Sequence, residues 1–79
     1  MSRFYFHVHG TVDAYDDEGR ELDDLAAART AAIRSARHLM CDEIQHTGRT
    51  SLSHSIRIES PQGVPLHTLR FGDAVEVES

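Results

Sequence analysis

Two histidines near the start of the chain have the spacing of a metal-binding pair. His7 and His9 are separated by one residue, so in an extended strand both imidazoles project from the same face and can reach one ion. His54 or His67 could add a third ligand from a neighbouring strand. We favour the competing interpretation, a solvated polar sheet face, because the sequence contains one cysteine and one Glu-x-x-His spacing, Glu43 to His46, and no pair of either kind. His7 and His9 stay the candidate metal ligands.

A second set of reactive side chains lies in the middle of the chain. His38, Cys41 and Asp42 are three or four residues apart, and on a helix they could act as base, nucleophile and orienting carboxylate. No glycine-rich turn accompanies them to supply an oxyanion site. The single cysteine excludes an internal disulfide and favours a reducing, intracellular setting. We therefore predict a cytoplasmic protein that is not an enzyme and has no cofactor and no catalytic residue.

These side chains must be positioned by a few short elements. Residues 3–9 alternate apolar and polar and predict a half-buried strand, and residues 11–15 could run back as a second one. Residues 23–46 predict one amphipathic helix, and residues 52–59 and 64–70 predict a hairpin of two strands joined by a proline–glycine turn. The chain, residues 1–79, is therefore expected to form a single α+β domain. In it, one antiparallel sheet of three to four strands, in the order β-β-α-β-β, packs on one long helix.

The predicted helix has a core-facing stripe at three- and four-residue intervals. Its members are Leu25, Ala28, Ala32, Ala36, Leu39 and Met40, with Ile33 and Ile44 on one flank. Arg29 falls within this stripe, and a guanidinium there needs a carboxylate partner. The acidic segment 16–18 offers the nearest carboxylates. We therefore predict that Arg29 forms a structural ion pair joining the helix to this acidic turn.

The opposite face of the helix has no evident structural role. It carries Ala27, Ala31, Arg34, Arg37 and His38. Small residues at this spacing let another helix approach closely, so this face is the candidate surface for a homodimer or a protein partner. Alanine is also the best helix former, which explains its abundance without any partner.

Charge and hydropathy exclude other classes of partner. The formal charge of −5 opposes the phosphate attraction on which most nucleic-acid binding relies. No apolar run approaches the length that spans a bilayer. Neither a nucleic acid nor a membrane is therefore expected as a partner.

Several motifs resemble those of a family of short bacterial proteins known only as a domain of unknown function. They are Phe4-Tyr5-Phe6-His7-Val8, Asp17-Glu18-Gly19 with Glu21-Leu22 and Asp24-Leu25, Ala27-Ala28-Arg29, and Phe71 with Asp73-Ala74. This resemblance implies a small stand-alone α+β protein and brings no activity with it. The order of strand, acidic glycine turn, leucine-containing cap and alanine-rich helix is also similar, more loosely, to the HicB-like antitoxin fold. The third strand that such proteins place before the helix is not evident here, and no DNA-binding extension follows the C-terminal strands.

The sequence thus predicts a protein-interaction module that could act as a homodimer. Two alternatives stay open at this point. One is a HicB-like antitoxin or other regulatory nucleic-acid-associated protein, and the other is a histidine-based metal-binding protein.

Overall fold

A computed structural model describes residues 2–78 as one antiparallel sheet with a single long helix on one face. Its elements are β1 (Ser2–His9), β2 (Arg20–Leu22), α1 (Leu25–Thr47), β3 (Ser55–Glu59), β4 (Pro65–Arg70) and a 3₁₀ turn (Phe71–Asp73). The strand order in the sheet is β2-β1-β3-β4, and every pairing is antiparallel. The predicted α+β class and the β-β-α-β-β order are confirmed.

The second strand does not lie where the sequence placed it. Residues 11–15 contribute only one bridge to the sheet, between Val8 and Ala14, whose two backbone hydrogen bonds measure 2.8 and 2.9 Å. The chain instead turns at Gly19, whose φ of 73° is left-handed, and then pairs Arg20–Leu22 with the start of β1. A Cβ at Gly19 would lie 2.9 Å from the Cγ of Arg3, so glycine is required by both conformation and space.

The hairpin of β3 and β4 contains the irregularity that the mixed hydrophobic parity of residues 64–71 predicts. Ile58 pairs with His67 but Glu59 pairs with Pro65, so Leu66 is the extra residue. This bulge turns Leu69 into the core, whereas Leu66 is left partly exposed.

The helix begins and ends close to the predicted residues, and a local hydrogen bond marks each end. The Asp24 carboxylate accepts a hydrogen bond from the Ala27 N–H at 2.8 Å, and Gly48, in the left-handed conformation, donates its N–H to the Ile44 carbonyl at 2.9 Å. These are an N-cap and a glycine C-cap. Within residues 2–78, no helix has the length and apolar character needed to cross a membrane.

Alanines bring α1 close to the sheet. Ala28, Ala32 and Ala36 are fully buried, and the core opposite them is built around Ile56 and Ile58 of β3. The stripe predicted from the sequence is only partly correct, because Leu39 and Ile44 are 39% and 50% exposed.

One helix cannot cover the whole inner face of this sheet. A helix with its side chains is about 10–12 Å wide, whereas four strands about 4.8 Å apart present a face nearly twice as wide. Helix α1 packs mainly against β3, β4 and the 3₁₀ turn. Phe6 and Val8 of β1, although they point to the helix side, are therefore only half-buried.

Candidate interaction surface

An open groove of about 560 Å³ runs beside α1, over the part of the sheet that the helix leaves uncovered. Its floor is apolar and is formed by Phe6 and Val8 of β1, Leu22 of β2 and Ile56 of β3. Its wall is the flank of the helix that carries Ala27, Ala31, Ser35 and Leu39. We call this feature the α1 groove. Its existence follows from the strand order, since β1 and β2 lie on the side of the sheet away from the helix contact.

The rim of the α1 groove is basic. Arg20 lies on the inner side of the sheet because it pairs with the buried Phe4 across β1 and β2, and its guanidinium carbon is 5.8 Å from the centre of the Phe6 ring. This is a cation–π contact at the mouth of the groove. Exposed Arg34 and His38 of α1 stand on the opposite side. Among the described residues, no carboxylate lines this part of the surface.

The groove continues along the helix into a region of opposite charge. Val8 and Leu39 also line a second cavity of about 370 Å³, which is bordered by Val12 and by the carboxylates Asp42 and Glu43. We call this second region the acidic end. Moving along α1 from Arg34 to Glu43, the surface therefore changes from basic to acidic while its base stays apolar.

Four of the five residues predicted as an interaction face lie together in this groove. Ala27, Ala31, Arg34 and His38 line it. Arg37 does not, because its Nε donates a 2.6 Å hydrogen bond to the Ala74 carbonyl and so holds the segment after the 3₁₀ turn against the helix. This contact is long-range, since Ala74 is 37 residues away, and nothing near Arg37 in the sequence indicates this acceptor.

Sequence reasoning missed the floor and one side of the rim. The alternation of β1 does identify Phe6 and Val8 as inward-facing, but it cannot show that the helix leaves them uncovered. Arg20 was missed because residues 20–22 were not recognised as a strand. Their inward side carries both Arg20 and Leu22, so these three residues do not show the apolar–polar alternation that indicates a strand.

The histidines of β1 lie on the other face of the sheet and have structural contacts. The Nδ1 of His7 accepts a 3.0 Å hydrogen bond from the Asp16 N–H, which places the ring proton on Nε2, 3.4 Å from the Glu59 carboxylate. Both ring nitrogens of His7 are thus engaged, and its side chain is only 14% exposed. The Nδ1 of His9 lies 3.6 Å from Asp13, and Tyr15 packs beside both histidine rings.

The predicted metal ligands therefore do not converge on an ion site. Within residues 2–78, no three His, Cys, Asp or Glu side chains lie close enough together to hold a metal. His67 is on the helix side of the sheet, opposite Ile58, and His54 stacks edge-on against Phe71. The strand parity that places His7 and His9 together also separates them from His67.

Asp16 organises the loop that joins β1 to β2. One carboxylate oxygen accepts from the Phe6 N–H at 3.2 Å, and the other accepts from the Glu18 and Gly19 N–H groups at 3.1 and 3.0 Å. Burial by itself raises the pKa of Asp16, but the hydrogen bonds from Gly19, Phe6 and Glu18 outweigh it and hold this pKa below its ordinary value. The loop is therefore fixed to β1 by an ionised carboxylate.

The ion pair predicted for Arg29 requires a correction. Arg29 is exposed, and its side chain lines a shallow cavity with Ile33, His67 and Leu69 near β4. Among the described residues it makes no ion pair. The physical reason is topological: the loop holding Asp16 lies at the β1–β2 side of the sheet, whereas Arg29 faces β4. The helical angle alone could not distinguish these two sides.

The set His38, Cys41 and Asp42 is likewise not assembled as a triad. Cys41 is exposed, and the Asp42 carboxylate lies 3.6 Å from His46, one turn further along the helix. His38 instead belongs to the rim of the α1 groove.

Comparison with known proteins gives a family but no described activity. Residues 3–72 match the family model described as Domain of unknown function (DUF6894). No curated protein and no solved structure matches the chain significantly. The match runs from Arg3 of β1 to the start of the 3₁₀ turn, and so includes every residue of the α1 groove.

Proposed function

The chain belongs to the DUF6894 family, and from that premise we propose that it is a non-enzymatic protein-interaction module whose α1 groove holds an amphipathic helix of a protein partner. The observation that carries this proposal is the uncovered apolar floor. Phe6, Val8 and Leu22 point to the helix side of the sheet yet stay half-buried. Burying such surface is favourable by about 25 cal/mol per Å², so a second element laid in the groove would be stabilised there.

The shape of the groove favours a helix over other occupants. It is open along its length and bounded on one side by α1, and the uncovered width corresponds to about one helix diameter of 10–12 Å. Ala27, Ala31 and Ser35 form a wall of small side chains, which lets a second helix backbone approach closely. Recognition of an amphipathic helix by an apolar groove is a common mode of protein binding.

The charge of the rim specifies the chemistry of the partner. Arg20, Arg34 and His38 surround an apolar floor, so the partner helix is expected to carry carboxylates beside its apolar stripe. A phosphate backbone suits this site less well, because the floor is apolar. The arginines of the outer sheet face, Arg3 and Arg57, are also poorly suited to binding phosphate, because each already pairs with a carboxylate of the same chain, at 3.3 and 3.5 Å.

Site-specific photocrosslinking in cells tests the proposal. A photoreactive amino acid replaces Arg34 at the groove rim or Arg29 on the β4 side of the same helix, in the full chain. We expect a protein adduct from position 34 and none from position 29. Mass spectrometry of the adduct should identify a helical peptide that carries a carboxylate beside its apolar residues as the crosslinked segment.

A groove-filling substitution supplies the matched control. Ala31→Arg places a long side chain in the groove and should abolish the adduct from position 34, whereas Ala26→Arg, on the exposed β4 side, should leave it unchanged. Circular dichroism must show that both variants keep the helix. Equal adducts from positions 29 and 34, or an adduct that survives Ala31→Arg, would refute the groove as the binding surface.

A further inference from the structure

We propose that the helix held in the α1 groove is α1 of a second copy of this chain, so that the protein is a dimer with two-fold symmetry. This inference rests on the proposed function and specifies its partner. It is carried by the charge pattern of the groove and by the small side chains of its wall.

The charge pattern is self-complementary. Basic Arg34 and acidic Asp42 are eight residues apart on α1, about 12 Å along the helix at 1.5 Å per residue. If a second α1 lies antiparallel with the two-fold axis at His38 and Leu39, Arg34 of each copy lies beside Asp42 of the other, and Glu43 borders the same acidic end. A two-fold contact repeats each pair twice, so both basic segments meet an acidic one.

The side chains at the proposed axis allow this approach. Ala31 and Ser35 are small and form the wall of the groove on one side of the axis. Leu39 lies at the axis itself, borders both the groove and the acidic end, and is 39% exposed. In an antiparallel pair Leu39 of each copy would be covered by the other, as expected at the centre of an interface with a charged periphery.

Charge reversal distinguishes a charge contact between two copies from a purely structural role of the same residues within one copy. Two variants are prepared as full chains: Arg34→Glu, and Asp42→Arg with Glu43→Arg. Each homodimer would then place like charges together at both symmetry-related contacts, so each variant alone should associate at least about tenfold more weakly than the wild type. When the two variants are mixed, every contact pairs opposite charges again, and a heterodimer should form with near wild-type affinity.

Sedimentation equilibrium of the wild type, each variant and their equimolar mixture measures these affinities. Arg29→Glu, a charge reversal at an exposed position outside the groove, is the matched control and should dimerise like the wild type. Circular dichroism of each variant shows whether it is folded. If one of them is not, Arg34→Gln and the pair Asp42→Asn with Glu43→Gln give the same comparison with weaker effects.

The outcomes separate this inference from the proposed function. A wild type that stays monomeric at high micromolar concentration, or a mixture that associates no better than its components, would overturn the dimer. The photocrosslinking at position 34 would then decide the proposed function by itself: an adduct to a different acidic helix would keep the interaction module with another partner. An adduct between two copies of this chain supports both.

Discussion

Replacing Asp16 tests whether the loop from β1 to β2, and with it one side of the groove, depends on a single carboxylate. Asp16→Ala leaves the N–H groups of Phe6, Glu18 and Gly19 without their acceptor. Hydrogen bonds to a charged group contribute about 1.5–3 kcal/mol each when buried. Asp16 is partly exposed, so solvent replaces part of this loss and the total should be about 2–3 kcal/mol.

The dependence on pH follows from the lowered pKa of Asp16. A carboxylate whose folded-state pKa is below its unfolded value stabilises the fold fully above the unfolded pKa, and this contribution is lost as the pH falls through the folded value. The difference in stability between the wild type and Asp16→Ala should therefore be largest above about pH 4 and shrink below it. The difference in stability between the two proteins that remains at low pH measures what the neutral carboxyl group contributes.

Urea denaturation followed by circular dichroism at neutral and acidic pH is the direct measurement. A loss of 2–3 kcal/mol corresponds to a decrease in Tm on the order of 10–20 °C for a domain of this size. Asp17→Ala is the matched control, because Asp17 is exposed, and it should change the stability by less than about 0.5 kcal/mol. If Asp16→Ala were as stable as this control, or if its deficit persisted undiminished in acid, the assigned role of the carboxylate would be wrong.

Two further predictions concern the backbone of the same region. Gly19→Ala should destabilise the protein by about 1–3 kcal/mol, because the left-handed backbone disfavours alanine and the added Cβ would contact Arg3 at 2.9 Å. Gly63→Ala is the control, since Gly63 has a φ of 80° but lies in open space, and it should destabilise the protein clearly less in the same urea titration. Equal losses of stability would show that the Arg3 contact is unimportant. Asp24→Ala should lower the free energy of unfolding by about 1 kcal/mol through loss of the N-cap. Asp23→Ala, its neighbour outside the cap, should have little effect, and a reversed order of the two would contradict the cap assignment.

Local signals in the sequence predicted the elements well where the structure uses local interactions. The alternation of β1 and the caps of α1 depend on residues adjacent in the chain, so residues 3–9, Asp24 and Gly48 could be interpreted from the sequence. The position of β2 could not, because it is set by hydrogen bonds between Asp16 and β1, ten residues away. The bulge at Leu66 was detectable from parity, but its exact residue depends on cross-strand pairing.

The helix side of the candidate surface was predictable, because it depends on a local periodicity, whereas the sheet side was not. Helical periodicity identified Ala27, Ala31, Arg34 and His38 as a face separate from the core stripe. It could not show which sheet residues lie beneath that face, nor that Arg37 is held by Ala74, because both depend on how the helix is placed across the strands. The error at Arg29 has this origin too: an angle around a helix axis does not tell which strand the residue faces.

The floor and the rim of the groove have different consequences for the proposed interaction. The motif residues Phe6, Val8, Leu22 and Ala27 line the groove and are only partly buried there. The charged residues Arg34 and Asp42 contribute little to the fold, since neither packs in the core. Apolar contacts supply most of the affinity of an interface, whereas charges set its orientation and exclude wrong partners. In this protein the fold would thus provide a general helix-binding groove, and the order of charges along α1 would determine that the bound helix is antiparallel and comes from a second copy.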